Sequence, residues 1–205
     1  MAGRGGWHSK LTRELQRLGH KRIAFVNNHL RWDSVVEDHY SSGERRRGYV
    51  EAMAAAGRRP RLVEQIYLAA PVLDASDSLI RHHGLMPPWG GPGDDRIARA
   101  IALLRSDDRP TAVVCPNADS AGPMLVAAGI LGLSVPGELS VCCVEFDIPC
   151  VHGHRTTTGI IPFYECGLAA IARLDERMAG KRPSRGVAVP YVRFEGTTIG
   201  PLSTS

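Results

Sequence analysis

The chain has no long apolar run and no strong charge of either sign, and each shortage closes off a class of protein. No uninterrupted apolar segment approaches the roughly 18 residues needed to cross a bilayer. The opening residues Met1 to His8 also lack the apolar stretch of a secretory signal. A soluble, cytoplasmic protein without membrane contact is expected. Lysine and arginine number 25 against 21 aspartates and glutamates, a formal net charge of +4, which falls short of the strongly basic domains that hold nucleic acid by charge. The five cysteines, Cys115, Cys142, Cys143, Cys150 and Cys166, are odd in number and form no C-x-x-C pair. They read as small core residues in a reducing compartment. Catalytic signatures are missing too: there is no G-x-S-x-G elbow, no G-x-x-x-x-G-K-[ST], no G-x-G-x-x-G after a strand and no H-E-x-x-H. The chain is not expected to be an enzyme or to carry a cofactor.

What is present is an ordinary globular composition, 43% hydrophobic and 22% charged over 205 residues, enough for one or two compact units. The most informative stretch runs from Arg109 to Pro149. Ala112 to Cys115 and Leu139 to Val144 are short, uniformly apolar runs of the kind buried on both faces, and a small-residue helix from about Ser120 to Leu131 lies between them. Strand, crossover helix and parallel strand make a right-handed unit whose ligands sit beyond the carboxyl ends of the strands. Those ends carry Asn117, Asp119, Glu145 and Asp147.

The pattern continues on both sides. A helix from about His8 to Leu18 ends at Gly19 before a strand, Arg22 to Asn27; the polar stretch Asn28 to Ser42 reads as a loop. Ser41 with Glu44 three residues later reads as a capping box opening a helix with Tyr49, Val50, Met53 and Ala56 on its apolar face, stopped by Gly57. A strand follows at Leu62 to Leu68, then an irregular Gly84 to Gly93, then a helix marked by Ile97, Ala100, Ile101 and Leu104. A helix from Phe163 to Ala179 is expected to bury Leu168, Ile171, Leu174 and Met178, before a last strand, Val187 to Phe194. Strands alternating with helices in this way predict an α/β fold, a doubly wound mostly parallel sheet with helices on both faces.

The residues of the central stretch, with its PTAVVC strand, Asn-containing turn, LGL-x-VP and LSV strand in that order, resemble the effector-binding domain of lactose-repressor-type (LacI/GalR) bacterial transcription regulators. Leu18 to Phe25 is similar to the entry to that family's second, periplasmic-binding-protein-like subdomain. Arg45-x-x-Gly48-Tyr49 is similar to its effector-contacting helix, Thr157 through Gly167 to its crossover, and Gly196-Thr197-Thr198 to its closing motif. The resemblance covers about Leu11 to Pro201. The expected division is a disordered N-terminal segment 1–7, the second effector-binding subdomain 8–160, a crossover helix 161–182 belonging by resemblance to the first subdomain, and a return strand and tail 183–205. The resemblance further implies a small-molecule effector, sugar-like in class, a homodimer, and DNA contact only through a helix-turn-helix domain absent from this chain. The apolar face of the crossover helix would then be covered by a second copy of the chain or fold back on its own sheet.

By this resemblance Arg45 is a guanidinium fork for hydroxyls or a carboxylate, against the plainer reading of Arg45 to Arg47 as a solvated basic run in the first turn of a helix. Asn117 offers donor and acceptor at a strand end, and is equally the residue type of a helix cap. Where the family has Asp directly after this Asn, this chain has Ala118, with Asp119 one place later. Glu145 matches the family's acidic ligand contact without a gap, whereas a one-residue bulge would pass that role to Asp147. Ile161 replaces a polar contact of some members. Trp89 is placed to stack on a sugar face or, equally, to plug the core edge. His152-x-His154 and His82-His83 match no closed four-ligand spacing, and no metal is expected.

Overall fold

Ile23 to Arg31 forms the first strand, β1, because successive residues have a core to enter on either side. Ile23 and Phe25 pack into one cluster, Ala24 and Val26 into the other. The computed structural model describes residues 6–31, 40–68, 96–151, 153–181 and 186–203. Helix α1 is Trp7–Arg17 and α2 is Tyr40–Ala55, followed by β2, Arg61–Leu68. Next come α3, Arg96–Arg105, β3, Ala112–Val114, α4, Ala118–Ile130, and β4, Ser140–Glu145. A small hairpin, β5 (Cys150–Val151) with β6 (His154–Arg155), precedes β7, Thr157–Ile160, α5, Phe163–Met178, and β8, Val192–Phe194.

One sheet of six strands carries the fold in the order β2-β1-β3-β4-β7-β8. Every neighbouring pair is parallel except β7 with β8. Helices α1 and α2 cover one face, where Leu11, Leu15, Tyr49 and Met53 meet Phe25, Val114 and Cys142. Helices α3 and α4 cover the other, where Ala100, Leu104, Met124 and Leu125 meet Val26, Val113 and Cys143. Adjacent Cys142 and Cys143 thus enter opposite cores, as the period of two requires. This is the doubly wound, mostly parallel sheet that the alternation of elements predicts. None of the described helices is long and apolar enough to cross a membrane.

Three local expectations fail. Helix α2 starts at Tyr40, so Ser41 and Glu44 lie inside the helix instead of framing its start, and Arg45 stands in its second turn. Strand β1 continues to Arg31, through residues expected in a loop, because β2 offers a partner all the way to Arg31↔Leu68. The last strand holds only Val192–Phe194, since β7 ends at Ile160 opposite Val192 and leaves Val187 to Tyr191 nothing to pair with.

Helix α5 departs furthest from expectation. It buries none of its residues: Leu168 is 51% exposed, Ile171 60%, Leu174 58% and Met178 79%. The predicted burial does not occur in the single chain, and the helix does not fold back on the sheet.

Candidate functional site

Because β1, β3, β4 and β7 are parallel, their carboxyl ends share one edge of the sheet. Helices α2 and α4 follow β1 and β3, so each begins near that edge, and α1, which runs back into β1, begins there too. Side chains from distant parts of the chain meet there for this reason alone.

Asn117 lies just beyond β3 and caps α4: with φ −154° and ψ 179°, it accepts the Ser120 N–H on Oδ1 at 3.1 Å. Glu145 ends β4 and reaches the same turn, where its Oε2 accepts the backbone N–H of Ala118 at 3.1 Å and its Oε1 that of Phe146 at 3.0 Å. A carboxylate therefore occupies the positive end of the α4 dipole. Arg45, from α2, donates Nη1 to the carbonyl of Pro116 at 2.9 Å. Arg45, Asn117 and Glu145 are thereby joined through the single segment Pro116 to Ala118. Asp147 lies outside this group, exposed beyond the strand, with Oδ1 accepting the N–H of Ile148 at 2.7 Å. The β4 to β7 register runs unbroken from Cys142↔Thr157 to Glu145↔Ile160, leaving no bulge that would advance Asp147 into the place of Glu145. Trp89, with His82, His83 and His152, lies outside the described residues.

Side chains that the sequence reading passed over also gather here. His8, at the start of α1, is buried and donates Nε2–H to the Cys115 carbonyl at 3.1 Å. Burial, and then the nearby Arg45 guanidinium, bring its pKa down to about 3, so it is neutral at pH 7. Asn27 and Asn28 end the apolar part of β1 and are both buried. Asn27 faces α2 and donates Nδ2 to Ser42 Oγ at 3.3 Å, while Asn28 faces α4, its backbone N–H on Ser120 Oγ at 3.0 Å. Two polar residues in succession at the end of a continuously apolar strand were the available signal.

The edge is poor in reactive groups. Burial pushes the Cys143 thiol up to about 12 and raises Cys115 and Cys142 well above the usual thiol range, so none supplies a thiolate at neutral pH. Among the described residues, no three His, Cys, Asp or Glu side chains are grouped to hold a metal. What the edge offers is hydrogen bonding: a guanidinium fork, three asparagine amides and a carboxylate.

Helices on both faces of a mostly parallel sheet, with polar side chains gathered at the carboxyl edge, define a doubly wound α/β domain. The chain belongs to the periplasmic binding protein-like domain family, whose model matches residues 12–197. No protein of curated function matches it in sequence. Among solved structures it is similar to a LacI family transcriptional regulator from Bifidobacterium animalis subsp. lactis, with a TM-score of 0.66 at 18% identity over 96% of this chain and 61% of that one. A sugar-binding LacI-family regulator from Escherichia coli, complexed with phosphate, gives 0.66 at 20% identity over 95% of this chain and 60% of that one. A dimeric Lac repressor with an 11-residue C-terminal deletion gives 0.69 at 18% over 97% and 64%. These likenesses show the fold, and the chain spans less than two thirds of each of these three structures.

Proposed function

We propose that this chain is the effector-sensing domain of a lactose-repressor-type transcription regulator, binding a small hydroxyl-rich molecule, a sugar or related metabolite, at the carboxyl edge of its sheet. The observation that supports this most is the convergence of Arg45, Asn117 and Glu145 on Pro116 to Ala118. In this reading Arg45 donates to ligand hydroxyls with the N–H groups not committed to Pro116, Asn117 donates through its free amide N–H groups, and Glu145 accepts with its remaining lone pairs. Glu145, not Asp147, is the acidic contact. Binding is the whole chemistry; the effector shifts an equilibrium between arrangements of the protein, and the operator contact belongs to a helix-turn-helix outside these residues. The protein works in the cytoplasm.

Calorimetry of the full chain against hexoses, pentoses and nucleosides tests the proposal. At about 100 times its dissociation constant a true effector adds about 2.7 kcal/mol to stability, which a thermal melt reads directly. A folded chain that binds no member of the panel speaks against the sensor. In that case the second reading stands, a module whose use is self-association, which the exposed apolar residues of α5 favour.

A further inference from the structure

Asn28 sits against the turn that opens α4: its backbone N–H donates to Ser120 Oγ at 3.0 Å, and the N–H of Ser120 is the one that Asn117 caps. The Asn28 amide is held in one orientation. Helix α4 contains Pro123, which has no N–H to give to the carbonyl four residues earlier, that of Asp119. Asn28 Nδ2 donates to this carbonyl at 3.2 Å. A carbonyl accepts only from a donor, so the nitrogen must face Asp119 and the oxygen must face away. That oxygen, Oδ1, is buried without a hydrogen-bond partner, in a residue only 6% exposed. Buried polar atoms are seldom left so, and an orphan acceptor beside a ligand-binding edge asks for a donor from outside the protein.

We infer that Asn28 is a specificity-determining residue of this site, its Oδ1 accepting a hydrogen bond from one hydroxyl or amine group of the bound molecule. The inference rests on the sensor reading and narrows it. Glu145 already fills the positive end of α4 and Asn28 adds an acceptor near it, so this corner of the site selects a hydrogen-bond donor and rejects an anionic group. Because Oδ1 is shut from solvent, the pair forms together with a small local movement of the groups covering it.

The test uses the full chain with D-glucose, D-galactose, D-ribose and adenosine, each alongside its monodeoxy analogues. The wild type is expected to bind a parent compound about tenfold more tightly than one of its deoxy analogues. Asn28→Ala is expected to bind the parent about tenfold more weakly than wild type does and to treat parent and that analogue alike. Losing the Asp119 contact alone would not erase this discrimination. Should Asn28→Ala fail to fold, Asn28→Ser, too short to reach the same donor, gives the same readout. An Asn28 variant that discriminates as the wild type does overturns the inference and leaves the sensor reading intact, as does a wild type indifferent to every deoxy analogue. No binding of any parent compound overturns the sensor reading itself, and this inference with it.

Discussion

Glu145, the last residue of β4, holds the backbone N–H of Ala118, the first residue of α4, at 3.1 Å. A residue that family likeness marks as a ligand contact therefore also closes the start of a helix. With Asn117 on the Ser120 N–H, it completes a two-residue cap. Replacing a capping acceptor by alanine costs about 1 kcal/mol, which for a chain of this size lowers Tm by about 2–4 °C. Glu145→Ala is expected to show that loss in a thermal melt, and Glu145→Gln, which keeps an acceptor oxygen, a smaller one. An alanine variant that melts with the wild type would mean that the carboxylate does not hold the turn.

His8 gives a pH dependence whose sign follows from its burial. Its folded pKa, lowered to about 3, lies below the ordinary value of 6.5, so between those values the unfolded chain binds the extra proton and folding must give it up. Stability from this residue is complete above about pH 6.5 and falls as the pH drops toward 3, by up to about 1.4 kcal/mol per pH unit. His20, buried between Thr111 and the Gly200 carbonyl, shifts in the same direction through desolvation and adds to the trend. Melting of wild type and His8→Gln from pH 7 to pH 4 checks this. The variant is expected to start less stable and to lose less on acidification; parallel curves would remove His8 from the account.

Trp7 and Gly159 are expected to be coupled. The indole of Trp7 lies so close to β7 that a Cβ at Gly159 would overlap its ring, and the ring is also stacked on Tyr191 with centroids 6.1 Å apart. Gly159→Ala must therefore displace the indole, at a cost of about 1–3 kcal/mol. In Trp7→Ala the same glycine substitution no longer meets the indole. The double variant is expected to be more stable than the sum of the two single losses by about 0.5–3 kcal/mol, with Gly159→Ala alone shifting the Trp7 fluorescence. Strict additivity would place the ring elsewhere.

The sheet was legible because its strands are buried on both faces: runs such as Ala112 to Cys115 are apolar throughout and admit little else. The site was legible only in part. Arg45, Asn117 and Glu145 carry a family pattern, but the partners they found, Pro116 O, Ser120 N and Ala118 N, are backbone groups that no side-chain pattern announces. Asn28 was missed because its role depends on a proline 95 residues later, a relationship that exists only once β1 lies beside α4. The capping box misled because Ser41 and Glu44 satisfy a local rule while α2 starts at Tyr40. Helix α5 misled most. Its spacing of Leu168, Ile171, Leu174 and Met178 states that the helix has an apolar face, and spacing says nothing of whether the cover belongs to the same chain.

That face supports the last prediction. Burying each of Leu168, Ile171 and Leu174 is worth about 1.5–3 kcal/mol, and all three are more than half exposed in the single chain. Apolar side chains at this spacing on one helix favour association with a like surface, so the isolated chain is expected to sediment as a dimer at micromolar concentration and to dissociate on dilution. Leu168→Glu with Ile171→Glu should hold it monomeric. Because neither position contributes to the core beneath the sheet, the monomer's melting temperature should stay within a few degrees of the wild type measured at high dilution. Sedimentation velocity across a hundredfold concentration range decides the matter. A wild-type chain that remains monomeric throughout rules out a second copy as the cover for α5, and a double variant that still dimerises moves the interface to another face.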